Sequence, residues 1–200
     1  MSKMQEQIRK KLLSNALQLV PFDGWNRDLL KHASVNAGYH CSMAEIIFPG
    51  GVCDLFQYYI AQIDQEMLDK YHAVISDNMK THHRIRLCLI SRLEILVTNK
   101  PLLSRSLAFL ALPMHYALAT RILASTVDLI WYEAGCDQST DWNYYTKRIM
   151  LAAIYSSTIL YFANDNSEDF KDTIDFLDKR LENSRNIGQI KRKLINFLGL

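Results

Sequence analysis

The chain is short of the residues that interrupt helices, with seven glycines and four prolines in 200 positions. It also lacks alternating apolar and polar runs bounded by hairpin turns, which argues against a β-rich fold. Charge of one sign is missing: the net charge is +2, so binding to nucleic acid or membrane has to come from a local patch. Cysteine is sparse and scattered, at Cys41, Cys53, Cys88 and Cys136, with no CxxC pair. That spacing argues against a zinc site or a disulfide framework and fits reduced thiols. No run reaches the roughly 18 apolar residues that a membrane-spanning helix needs. The start, "MSKMQEQIRKKLL", has no apolar signal core and no acid-poor, Arg/Ser-rich leader. Catalytic motifs are missing too: there is no GxGxxG, P-loop, GxSxG or HExxH.

What is present is the balance of an ordinary folded domain, 49% apolar and 22% charged, written in helical periodicity almost throughout. Helices are expected over residues 3–20, 26–37, 42–48, 52–76, 81–98, 101–112, 116–134, 141–162 and 167–185. A separate short amphipathic helix is expected at the C-terminus. Gly38 suits a left-handed stop after the second helix, and Pro101 suits a first turn. The expected architecture is all-α, in three parts. Residues 1–50 form a three-helix head, 51–185 a helical body, and 186–200 a terminal amphipathic helix.

Three short helices, with Ala37-Gly38 before the third and Phe48-Pro49 after it, resemble the DNA-binding head of TetR-type regulators. The residue chemistry opposes that use. The would-be reading segment, "YHCSMAEIIF", contains no Lys or Arg and places Glu45 at its centre, whereas duplex binding rests on cations facing phosphates. Arg9, Lys10 and Lys11 on the first helix could reach phosphate but equally suit a solvated face. Specific nucleic-acid binding is therefore not expected; a TetR-type regulator binding DNA and a hydrophobic ligand is the alternative.

An enzyme is not expected either. Di-iron bundles use Glu-x-x-His pairs, and no glutamate here has His three residues later. His82 and His83 are adjacent and point to different faces, while Asp165, Glu168 and Asp169 gather where a helix start favours carboxylates. No cofactor or metal is expected.

The segment "STDWNYYTKR" crowds Trp142, Tyr144 and Tyr145 into one helix start. At about 100° per residue the three cannot share one narrow buried stripe, so at least one should stand exposed. In the blander arrangement Trp142 and Tyr145 pack inward and Tyr144 covers a neighbouring helix. Aromatic rings beside Asp141, Lys147 and Arg148 also have the composition of a protein-binding hot spot.

"STDWNYYTKR", "LAAIYSSTILYFANDNSEDFKDT", "FLDKRLEN", "VPFDGW", "FPGG" and "RIRLCLISRLE" together resemble the lipid-binding accessory proteins of ubiquinone (coenzyme Q) biosynthesis, the ninth member of the Coq series. The resemblance implies a TetR-like fold whose body holds isoprenoid lipid or quinone. It also implies binding to the di-iron demethoxyubiquinone hydroxylase, to which the precursor is presented. It puts Asp141, Tyr144 and Tyr145 in the partner patch, with Arg148 beside them. Tyr144 stands where the family commonly has Trp. A homodimer is expected by analogy. The expected location is the bacterial cytoplasm, peripheral on the inner membrane, corresponding to the matrix side of that membrane in mitochondrial relatives.

A prenyl tail needs an apolar cavity. Leu110, Met114, Leu123, Val127, Trp131 and Ile154 are the candidate linings, although each also reads as plain core. In the terminal segment Ile187, Ile190, Leu194, Ile195, Phe197 and Leu198 share one side, with Lys191 at the apolar edge. That pattern suits a helix lying in a membrane interface, with docking on the body or on a second subunit as the other use.

Overall fold

The computed structural model describes the backbone of residues 3–76, 78–135 and 142–198, and their side chains except at 135, 142–144 and 185–198. All described regular structure is helical: α1 Lys3–Asp23, α2 Leu29–Asn36, α3 Met43–Ile47, α4 Val52–Val74, α5 Thr81–Val97, α6 Lys100–Leu110, α7 Tyr116–Gly135, α8 Trp142–Asn164 and α9 Lys171–Leu198. Short 3-10 turns at Pro113–His115 and Glu168–Phe170 lead into α7 and α9. No single helix among the described residues is long and apolar enough to cross a membrane.

Local sequence accounts for most of the boundaries. Gly38 takes φ +78°, while Gly38 N–H donates to Val35 O and Tyr39 N–H to Ser34 O, both at 2.9 Å. These paired bonds satisfy the last carbonyls of α2 and turn the chain toward α3. At α6 the Asn99 side chain accepts from Leu102 N–H at 3.1 Å, with a proline in the first turn where no N–H is needed. Two boundaries differ from the sequence expectation. The first helix carries Pro21 within its final turn and ends at Asp23, not at Val20. The last helix runs unbroken to Leu198, so no separate terminal helix begins after Arg185. A lone glycine such as Gly188 costs a helix about 1 kcal/mol, too little to break one with strong formers on both sides.

The chain divides into two compact units, Met1–Glu66 with Ile95–Ile122, and Met67–Glu94 with Leu123–Leu200. In the first, Trp25 is the hub. Its ring meets Phe56 edge-on at 4.8 Å and lies 5.6 Å from Tyr59 and 6.2 Å from Phe109. Its indole N–H donates to Ser106 Oγ at 3.0 Å, satisfying the polar edge of an otherwise apolar ring. Residues more than eighty positions apart are joined in this way. Arg9 fixes α3 from α1: its guanidinium donates to Ile47 O at 3.3 Å and lies 5.4 Å from the Phe48 ring and 5.6 Å from Tyr58. Lys11 sits over Tyr39 at 5.0 Å. The basic cluster on α1 is thus partly spent on the head's own aromatic rings.

The second unit buries Met67, Leu93, Ile130, Phe162 and Leu177. Arg92 is buried as well, donating from Nε to Tyr155 Oη at 2.6 Å with the guanidinium 5.4 Å from that ring. The turn into α9 is organised by Asp165, 6% exposed, which accepts from Ser167 N–H at 2.7 Å, Thr173 N–H at 2.9 Å and the Thr173 hydroxyl. Burial pushes its carboxyl up, but these donors win and hold it at about 2. The capping role expected for this acidic cluster is met by Asp165.

Candidate functional site

The reading element of the head comes first. Helix α3 spans five residues, with Ala44 and Ile47 turned into the core and Glu45 and Ile46 exposed. Its open face therefore offers a carboxylate and a hydrocarbon. Neither donates to a phosphate, and no lysine or arginine lies on the helix.

The second place is the junction of α7 and α8. The Arg148 guanidinium donates from Nε to the Asp128 carboxylate, and only 15% of the Arg148 side chain is exposed. One position earlier, Lys147 takes part through its backbone. The Trp131 indole N–H donates to Lys147 O at 3.3 Å, and the Lys147 ammonium lies 5.7 Å from the Trp131 ring. These two links, each between one residue of α7 and one of α8, fix the rotation of α8 about its axis.

Tyr145 (65% exposed) and Ile149 (69%) consequently form an outward pair one turn apart on α8, and Tyr132 on α7 is 73% exposed. The face shared by Tyr145 and Ile149 is the outer one, which corrects the arrangement in which Tyr145 packs inward. The reason lies in α7, since Asp128 and Trp131 claim Arg148 and Lys147 and leave Tyr145 no inward path. Of the expected partner residues, Arg148 is held inside this clamp and Tyr145 is largely exposed. Asp141 and the Tyr144 side chain fall outside the described residues. Helical spacing puts Ile149 on the Tyr145 face, whereas nothing in the sequence singles out Tyr132.

The expected lipid-lining residues are divided between the two units, Leu110 and Met114 in the first and Leu123, Val127, Trp131 and Ile154 in the second. In the first unit, Met114 (77% exposed) stands in the wall of a cavity of about 830 Å³, and the half-buried Leu110 is not among its lining residues. In the second unit, Leu123, Val127 and Trp131 follow one another at four-residue spacing on α7. Val127 and Ile154 are buried there, while Leu123 and Trp131 are half-buried. The side chains of Ile187, Ile190, Lys191, Leu194, Ile195, Phe197 and Leu198, expected to meet the membrane, fall outside the described residues. Helix α9 carries their backbone.

No group of three His, Cys, Asp or Glu among the described residues could hold a metal ion. Cys88 is buried, and burial pushes its thiol up to about 12, which keeps it protonated and inert.

Residues 116–188 match the COQ9 family model. That span holds α7, α8, the Asp165 turn and the start of the long last helix. Similarity extends much further. The human protein "Ubiquinone biosynthesis protein COQ9, mitochondrial" is 31% identical over 197 residues, 95% of this chain and 61% of that protein. The rat protein of the same name is also 31% identical over 95% of this chain. The Drosophila melanogaster protein is 31% identical over 88%. This chain thus spans about 61% of the human protein's length and 62% of the rat protein's. The family resemblance read from the motifs stands.

Solved structures define the fold. A TetR transcriptional regulator from Nitrosomonas europaea superposes with a TM-score of 0.69 at 16% identity, covering 88% of this chain and 97% of that one. A putative TetR-family regulator from Shewanella gives 0.52 at 14% identity. The fold is TetR-like and all-α.

Proposed function

We propose that this chain is a lipid-binding accessory protein of ubiquinone biosynthesis. It holds an isoprenoid quinone precursor and presents it to the di-iron demethoxyubiquinone hydroxylase, without itself being a catalyst. The observation that carries the reading is a DNA-binding fold stripped of DNA chemistry: α3 exposes Glu45 and Ile46 and bears no cation. The named relatives supply the pathway, and the COQ9-like span contains the exposed Tyr145 and Ile149.

In this reading the α7–α8 clamp acts as a positioning device. Asp128 and Trp131 hold the start of α8 so that Tyr145, Ile149 and Tyr132 offer amphipathic and apolar surface to the hydroxylase. The family resemblance assigns Tyr144 and Asp141 to the same partner-binding role. A homodimer and a peripheral position on the membrane, met by the end of α9, belong to the same proposal.

The test is hydroxylation of a demethoxyubiquinone carried in vesicles, with the di-iron enzyme alone and with this chain added. The rate should rise with added chain. An unchanged rate, together with salt-dependent retention on one defined DNA sequence, would favour the TetR-type regulator instead.

A further inference from the structure

A hollow in the first unit lies within the head and its support. Its volume is about 830 Å³, inside the roughly 300–1,000 Å³ range of small-ligand sites. Trp25, Leu30, Phe48, Phe109, Leu112 and Met114 supply hydrocarbon to its wall. Met114 and Leu112 are exposed although apolar, so the structure leaves grease open to water at this place. Isolated exposed side chains are ordinary on any surface, but two on the wall of one cavity favour an apolar occupant.

The polar part of the wall has a definite sign. Arg27 and Lys31 stand four residues apart, at the α1–α2 turn and on α2, and both line the cavity. Lys31 lies 3.2 Å from Asp28 in a pair that is well exposed on both sides, an attraction worth little in water. Glu45 is the opposing carboxylate in the wall. Asp54, which follows Cys53 in the chain and is not part of the wall, accepts from Gly50 N–H. His115 donates from Nδ1 to Phe109 O at 2.8 Å and its ring lies tilted against the Phe109 ring at 3.9 Å, which leaves Nε2 as its remaining polar atom. Two cations set against one carboxylate, beside an apolar wall, match a molecule with a hydrocarbon chain and a single anionic end.

We infer that this cavity binds one single-chain amphipathic anion, its chain against Phe109, Leu112 and Met114 and its head near Arg27 and Lys31. The shared chemistry is an anion on an alkyl chain; a free fatty acid and a lysophospholipid with an anionic headgroup are its two sources. This site is separate from the prenylquinone reading and does not depend on it, because a quinone offers Arg27 and Lys31 hydrogen-bond acceptors but no negative charge to pair with. Cys53, half-buried in the same wall, is a built-in reporter.

The experiment uses the full chain and a dansyl-labelled fatty acid as probe. Binding should raise dansyl emission and slow alkylation of Cys53, followed by peptide mass spectrometry so that the other cysteines do not interfere. Oleate or lysophosphatidic acid should displace the probe, and which does so at lower concentration identifies the source. The double variant Arg27→Glu/Lys31→Glu should weaken binding about tenfold, as loss of two water-exposed cation contacts implies. Cys53→Trp, which puts a large ring into the wall and narrows the hollow, should weaken binding. If that variant fails to fold, the charge-reversal pair, whose side chains need no burial, still decides. Three results would each overturn the inference: equal displacement by an uncharged fatty alcohol, displacement by inorganic phosphate alone, or unaltered Cys53 alkylation with the probe bound.

Discussion

Replacing Tyr145 with alanine separates the partner patch from the fold. The side chain is 65% exposed, so roughly two thirds of the 150–250 Å² that a tyrosine can bury, about 100–150 Å², remains for a partner to cover. At about 25 cal/mol per Å², full coverage is worth about 3 kcal/mol; partial coverage at a wet rim gives about half that. The dissociation constant for the hydroxylase should therefore rise about 10- to 100-fold in Tyr145→Ala. The fold should lose far less, about 1 kcal/mol, because only the covered third of the ring contributes and alanine retains part of it. Tyr145→Phe keeps the ring and should fall between the two. The assay is biolayer interferometry against immobilised hydroxylase, with thermal unfolding of each variant as the control. Ile149→Asp, one turn away, should weaken binding to a similar degree. If both Tyr145→Ala and Ile149→Asp bind within twofold of wild type, the α8 face is not the docking surface and the reasoning from exposure fails.

Other consequences can be measured directly. Asp165 has its folded-state pKa lowered to about 2, so its stabilising contribution is complete above the ordinary value of 3.8 and disappears as pH falls through about 2. It lies close beneath the surface, so solvent screening reduces the effect to about 1–2 kcal/mol; Asp165→Asn should lower the melting temperature at pH 7 and flatten its fall below pH 4. Trp25→Ala removes the hub of the first unit and should cost about 3–5 kcal/mol, seen as a large drop in urea midpoint. Deletion of residues 187–200 should reduce cosedimentation with anionic liposomes, and unchanged sedimentation would remove the terminal segment from membrane contact.

Much of the fold was legible because its signals are local. The left-handed Gly38, the Asn99-capped start of α6 and the carboxylate at the turn into α9 are each written within a few residues of where they act. The missing cations of α3 were equally plain, since an absent side chain needs no tertiary context. What escaped depends on distant neighbours. The rotation of α8 is set by Asp128 and Trp131 on another helix, so periodicity alone could place Tyr145 either inward or outward. Arg9 reads as a solvated cation until Phe48 and Tyr58 come beneath it. The head cavity needs Phe109, Leu112 and His115 brought against residues 25–53, a juxtaposition that no spacing announces. Helix α9 ignored Gly188 because a single weak residue yields to the helix on either side.

The central claim is that these helices carry lipid for a quinone-modifying enzyme and do not grip DNA. Native mass spectrometry of the purified full chain, followed by solvent extraction of whatever it retains, addresses that claim most directly. A copurified prenylated quinone or its precursor, released on denaturation, is the predicted result. A chain that emerges free of isoprenoid lipid, and stays so after incubation with demethoxyubiquinone vesicles, would contradict it.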